Sequence, residues 1–183
     1  HVMASLISKF TKATIESKPF VKCWGTGTPF REFMHVDDLG DAVVYCLKNW
    51  HPTSENAPKD LYGKALNHLN VGTGIDISIK QLAEKIAEVS EFKGEIIWDE
   101  SKPDGTPKKQ LDISKIKELG WSPKIGLEDG IKKTIRLYKT LWHLKSKEFV
   151  WSTKSKDNTF DDYTYDIVFE NENLSPWKLI QKK

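Results

Sequence analysis

The stretch Trp24-Gly-Thr-Gly-Thr-Pro-Phe-Arg-Glu-Phe-Met-His-Val-Asp-Asp38 decides how the rest of this chain is read. Val21 to Trp24 has strand character and is closed by the turn Gly25-Thr26-Gly27-Thr28-Pro29. Arg31 to Val36 reads as extended chain. Asp37 or Asp38 then caps a helix whose Leu39, Ala42, Val43, Cys46 and Leu47 share one face. Upstream, Met3, Leu6, Ile7 and Phe10 fall on one side of a helix over residues 2–15.

Downstream the same alternation continues. Residues 51–64, rich in Pro, Asn, Ser and charge, form a loop, and Leu66 to Val71 reads as a strand ending in the turn Gly72-Thr73-Gly74. Ser78 and Gln81 make a capping box ahead of a helix carrying Ile79, Leu82, Ala83, Ile86 and Ala87 on one side. After Gly94 comes a strand from Glu95 to Trp98, and then an irregular loop through Pro107. A short helix capped by Asp112 stops at Gly120, and a long helix from about Leu127 carries Ile131, Ile135, Tyr138 and Trp142 on one stripe. Alternating strands and helices imply an α/β arrangement. From about Lys145 the character changes. Residues 157–172 hold six acidic side chains and no Lys or Arg, interleaved with Phe160, Tyr163, Tyr165 and Phe169. This tail reads as poorly ordered or peripheral, with a strand pair docked on the domain, a partner-binding segment and the start of a second domain as the alternatives.

Charge and composition narrow the function classes. With 28 basic against 26 acidic residues, no strong global field points to nucleic acid. The longest apolar run, Ala42 to Leu47, is far short of the ~20 residues a membrane-spanning helix needs. Ser8, Lys9, Thr11 and Lys12 interrupt any hydrophobic leader. Cys23 and Cys46 form no CxxC pair and lie in apolar segments, so both are expected as buried free thiols in a reducing cytoplasm. The chain opens on His1, in what reads as the first turn of a helix, which raises the expectation of a longer parent protein.

Three segments have the chemistry of a phosphorylated-ligand site. In Trp24 to Arg31 an aromatic plate precedes a glycine turn and a guanidinium follows it. The planar fork of Arg31 suits a diphosphate, and Trp24 suits stacking on a base or sugar. A hairpin with a core Trp and a surface Arg fits the same residues. In Lys102-Pro-Asp-Gly-Thr-Pro-Lys108 the prolines and glycine set an irregular loop. There Asp104 can accept from ribose or base donors, and Lys102, Lys108 and Lys109 can offset phosphate charge; a solvated surface loop is the plain alternative. The turns Gly25-Thr-Gly27 and Gly72-Thr-Gly74 lack the third glycine of a dinucleotide fold and read as structural. In His35-Val-Asp37-Asp38 the carboxylates are better explained by helix capping than by a metal.

Taken together, His1-Val-Met3, the long stretch from Trp24 to Asp38, His68-Leu-Asn-Val-Gly-Thr-Gly74, Ser101 to Lys108 and Leu119-Gly-Trp121 closely resemble the GDP-L-fucose synthase family. That family is a branch of the extended short-chain dehydrogenases/reductases. The likeness covers residues 1 to about 142. It implies the α/β fold of a C-terminal substrate-binding lobe over residues 1–143, an atypical extension over 144–183, and a Rossmann core largely missing. It implies a part in converting GDP-4-keto-6-deoxy-D-mannose to GDP-L-fucose by epimerisation at C3 and C5 and NADPH-dependent reduction at C4. The partners expected are a GDP-sugar and a second subunit of a homodimer, with no nucleic acid and no membrane. By resemblance Lys9, Trp24, Arg31 and Asp104 match substrate-contacting positions. His1 matches a histidine beside the nicotinamide of NADP that acts as an acid in the epimerisation, a role its ordinary pKa near 6.5 suits. The family's GxxGxxG and catalytic Tyr-x-x-x-Lys have no counterpart in these 183 residues. The chain alone is therefore expected to be inactive. Related expectations are another extended reductase acting on nucleotide sugars (a 4-epimerase or 4,6-dehydratase) and a non-catalytic nucleotide-sugar-binding module.

Overall fold

The computed structural model describes the backbone of residues 2–145 and the side chains of residues 2–140. The unit ending at Lys139 is the one described below. His1, the side chain of Trp142 and the segment 146–183 lie outside the described residues.

Helix α1 (Val2–Ile15) leads into strand β1 (Phe20–Trp24), then β2 (Phe30–Glu32) and helix α2 (Val36–Asn49). After the 50–75 loop come β3 (Asp76–Ser78), α3 (Ile79–Ser90), β4 (Glu95–Asp99), β5 (Lys108–Lys109), α4 (Ser114–Glu118) and α5 (Leu127–Lys145). The strands make two small sheets. β1 and β4 pair in parallel with Cys23 opposite Trp98, and β2 lies between antiparallel β3 and parallel β5. The α/β reading holds.

Two apolar clusters hold these elements together. In the larger, the α1 face expected from the sequence is buried: Leu6, Ile7 and Phe10 pack on Val21 and Cys23 of β1, on Leu82 and Ile86 of α3, and on Ile131 and Ile135 of α5. The α3 start carries both halves of the expected capping box. Gln81 N–H donates to Ser78 Oγ at 3.1 Å, and the Gln81 side chain accepts from Ser78 N–H at 3.2 Å. The Ser8 and Tyr138 hydroxyls meet at 2.8 Å between α1 and α5.

The smaller cluster joins Ala42 of α2 to Ile113, Ile116 and Trp121, with Leu69 and Val71 against it. Here several expectations change. His35, not Asp37 or Asp38, caps α2, its Nδ1 accepting the Asp37 N–H. Asp38 is instead 2% exposed and accepts the backbone N–H groups of Lys124 and Ile125, tying α2 to the chain ahead of α5. Of the apolar α2 face, only Ala42 is fully buried, whereas Leu39, Val43 and Leu47 remain exposed, Leu47 at 80%. Residues 66–71 form no strand, because no described strand runs alongside to take their backbone hydrogen bonds. At α4, Asp112 receives the Ser114 N–H at 2.9 Å, although Ile113 occupies the cap position. Both cysteines are free, Cys23 buried and Cys46 only partly so.

Candidate functional site

A cavity of about 410 Å³ opens between α1 and the β1–β4 pair. Val2, Ser5, Leu6 and Lys9 line it from α1, Cys23 and Trp24 from β1, and Ile79 and Trp98 close it. The position follows from alternation along β1: Val21 and Cys23 turn inward, while Trp24, at the strand end, is 69% exposed. Burial raises the Cys23 thiol pKa, only partly opposed by the Lys9 charge, so the group lining the cavity is a neutral thiol at pH 7.

Two ammonium groups stand by the Trp24 ring, Lys9 Nζ at 5.8 Å and Lys102 Nζ at 5.9 Å from its centroid. Lys9 also donates to the Lys22 carbonyl at 2.8 Å, which steadies its stem across the cavity mouth. An exposed aromatic face with two cations beside it suits a planar group linked to an anion.

The loop before β5 borders Trp24. Asp104 accepts the Thr26 N–H at 3.0 Å on Oδ1 and the Thr26 hydroxyl at 2.6 Å on Oδ2. This latch explains Gly25. The residue has φ +77°, and a Cβ there would overlap Asp104 Oδ1. Farther along, Gly105 lies against the Arg31 guanidinium, whose Nη1 donates to the Phe30 carbonyl at 2.6 Å.

The second glycine turn is filled in the same way. Glu32 accepts the N–H groups of Thr73 and Gly74 and the Thr73 hydroxyl on Oε1, and the Leu111 N–H on Oε2. A Cβ on Gly72 would collide with this carboxylate. Burial works to raise the Glu32 pKa, but the N–H bonds from Leu111, Gly74 and Thr73 outweigh it and hold the carboxyl below its ordinary value. Turns of this kind, with N–H groups converging, are anion-binding concavities. Here both are occupied by the chain's own carboxylates, which would repel a phosphate. Asp104 and Glu32 thus give both turns a structural role, and neither turn is free to take the pyrophosphate of a dinucleotide.

Of the residues singled out from the sequence, Lys9 and Trp24 share the cavity wall, and Arg31 and Asp104 meet the adjoining 102–107 loop. His1 lies outside the described residues. Sequence reasoning missed Trp98 as a cavity wall, Thr26 as the partner of Asp104, and Glu32 altogether. Only the spacing of Gly72 and Gly74 hinted at an anion for Glu32 to supply.

Known proteins share this arrangement of sequence. Residues 1–60 match the NAD dependent epimerase/dehydratase family. A probable GDP-L-fucose synthase 1 from Oryza sativa subsp. japonica is 44% identical over 138 residues, covering 75% of this chain and 38% of that protein. The GDP-L-fucose synthase of Escherichia coli (strain K12) is 40% identical over 148 residues, 81% of this chain and 43% of its own. The chain is a relative of the GDP-L-fucose synthases. Among solved structures, the GDP-mannoheptose C4 reductase MlghC from Campylobacter jejuni, with NADP bound, superposes with a TM-score of 0.62 at 36% identity, covering 76% of this chain and 45% of that one. The α/β fold is thus that of the epimerase and short-chain reductase group. The chain spans less than half the length of these relatives.

Proposed function

We propose that this chain supplies the GDP-sugar-binding part of an NADPH-dependent enzyme that converts GDP-4-keto-6-deoxy-D-mannose to GDP-L-fucose. The observation that carries the reading is the wall of Trp24 and Lys9 at the cavity mouth, with Lys102 near the Trp24 ring, next to the loop that holds Asp104 and borders Arg31. The identity of 40–44% to GDP-L-fucose synthases supports it. In this reading residues 1–143 form the substrate lobe and 144–183 an extension atypical of the family. Trp24 stacks on a planar or apolar part of the ligand, Lys9 offsets its charge, and Arg31 binds the diphosphate with the guanidinium edge not turned to Phe30. Asp104 accepts from ligand donors through lone pairs that Thr26 leaves free.

NADPH would supply the hydride for the C4 ketone. No Tyr-x-x-x-Lys pair occurs in the 183 residues, and both described glycine turns are filled by Asp104 and Glu32. Hydride transfer is accordingly assigned to no residue here, and NADP to a cofactor-binding portion outside this sequence. The exposed apolar side chains Leu39, Val43 and Leu47 of α2 support such a neighbour. His1 is assigned to the nicotinamide side of the sugar as the acid of the epimerisation. The assembled enzyme is proposed to be a cytoplasmic homodimer.

Calorimetric titration of the 183-residue chain with GDP, UDP and NADPH tests the assignment. GDP is expected to bind more tightly than UDP, with no heat from NADPH. Equal binding of the two diphosphates, or of neither, would remove the GDP-sugar reading; tight NADPH binding would remove the division of labour.

A further inference from the structure

We infer that Glu32 is the positioning residue of this site, a built-in anion that clamps the 102–111 segment, which carries Asp104, to the Gly72-Thr73-Gly74 turn; for its link to ligand, the inference rests on the function proposed above.

The need for a clamp follows from burial. Every side chain from Glu100 to Asp112 is exposed, so apolar packing does not hold this segment. Its strand, β5, is two residues long, too short for its ladder alone to fix a register. Polar contacts must do it. At the near end Asp104 is latched to Thr26. In the middle the Phe30 N–H donates to the Pro107 carbonyl at 2.7 Å, and Lys108 pairs with Asp76 at 3.1 Å. At the far end everything converges on Glu32. One oxygen takes the Leu111 N–H at 2.9 Å, and the other takes the Gly74 N–H at 2.8 Å. The Gly74 carbonyl in turn accepts the Gln110 amide at 2.6 Å.

Strand geometry gives the clamp its reach. Successive side chains of β2 point to opposite faces, so Glu32 works on the face away from Arg31. β5 pairs with Phe30 and Arg31, Lys109 lying opposite Arg31. The strand thus offers a guanidinium on one face and secures, from the other, the loop that meets that guanidinium. A glutamine would keep the shape of Glu32, but it turns one acceptor into a donor facing an N–H group.

The test has two parts. In the parent chain, a nitrogen-15 NMR pH titration should move the Thr73, Gly74 and Leu111 amides together, at a midpoint below 4.5. Independent movement of the three overturns the clamp, even if every variant fails to fold. In Glu32→Gln, amide hydrogen exchange across 104–111 should speed up, and GDP affinity should fall about tenfold. The loss in Glu32→Gln/Asp104→Asn should be smaller than the product of the single losses, because both act through one segment. Multiplying losses would mean a general loss of stability and would overturn the positioning role, as would unchanged exchange. A parent that binds no GDP refutes the function proposed above and leaves the titration and exchange to decide the clamp.

Discussion

Replacing Arg31 by alanine is the perturbation whose size the structure constrains best. One edge of the guanidinium is committed: Nη1 donates to the Phe30 carbonyl at 2.6 Å, and Gly105 lies against Nη2. A bidentate grip on a diphosphate uses two parallel N–H groups along one edge, and with Nη1 taken by the Phe30 carbonyl and Gly105 against Nη2 the expected contribution is nearer one charge-assisted hydrogen bond than two. One such bond is worth about 1.5–3 kcal/mol. Arg31→Ala should therefore raise the GDP dissociation constant roughly 10- to 150-fold. Arg31→Lys should recover only part, since an ammonium cannot serve the Phe30 carbonyl and a phosphate with the same fixed fork. The side chain is not buried, so thermal stability should stay within about 0.5 kcal/mol of the parent. Calorimetry with GDP reads the first effect and urea unfolding the second. An Arg31→Ala chain that binds GDP as well as the parent would refute the diphosphate assignment. One that loses binding together with about 2 kcal/mol or more of stability would show that Arg31 acts through the fold.

Asp38→Ala should destabilise the chain by about 2–4 kcal/mol in urea unfolding, because it leaves the Lys124 and Ile125 N–H groups facing a buried gap; a cost below 1 kcal/mol would contradict the tie described for α2. Glu32 is held below its ordinary value of 4.5, so its contribution is fully present above that pH and is lost as pH falls through the lower folded value. The stability gap between the parent and Glu32→Gln should accordingly shrink as pH drops below 4.5, and a gap that widens there would reverse the sign of the argument. Leu47→Glu on the open face of α2 should change stability by less than about 0.5 kcal/mol while reducing binding of an apolar dye; a large loss of stability would mean that the chain itself covers that face.

The elements legible in the sequence were those whose cause is local. The period of Leu6, Ile7 and Phe10 marked α1 and its buried side, and the Ser78–Gln81 pair marked the start of α3, because capping and helical spacing act within a few residues. Trp24, Arg31 and Asp104 were marked by their own chemistry and Lys9 by resemblance, and the fold explains why they lie near one another: β1 and β4 are parallel neighbours, and the loop after β4 returns to the end of β1. Two readings failed because their partners are distant in sequence. Residues 66–71 have strand composition, but a strand needs another beside it, and none is present among the described residues. Asp38 looked like a cap, yet its hydrogen bonds go to residues 124 and 125, far along the chain. The two glycine turns could be recognised as turns from their spacing alone. That Asp104 and Glu32 fill them was decided only by tertiary structure, because an anion-binding turn accepts any carboxylate the fold brings to it, and sequence spacing does not say which one arrives.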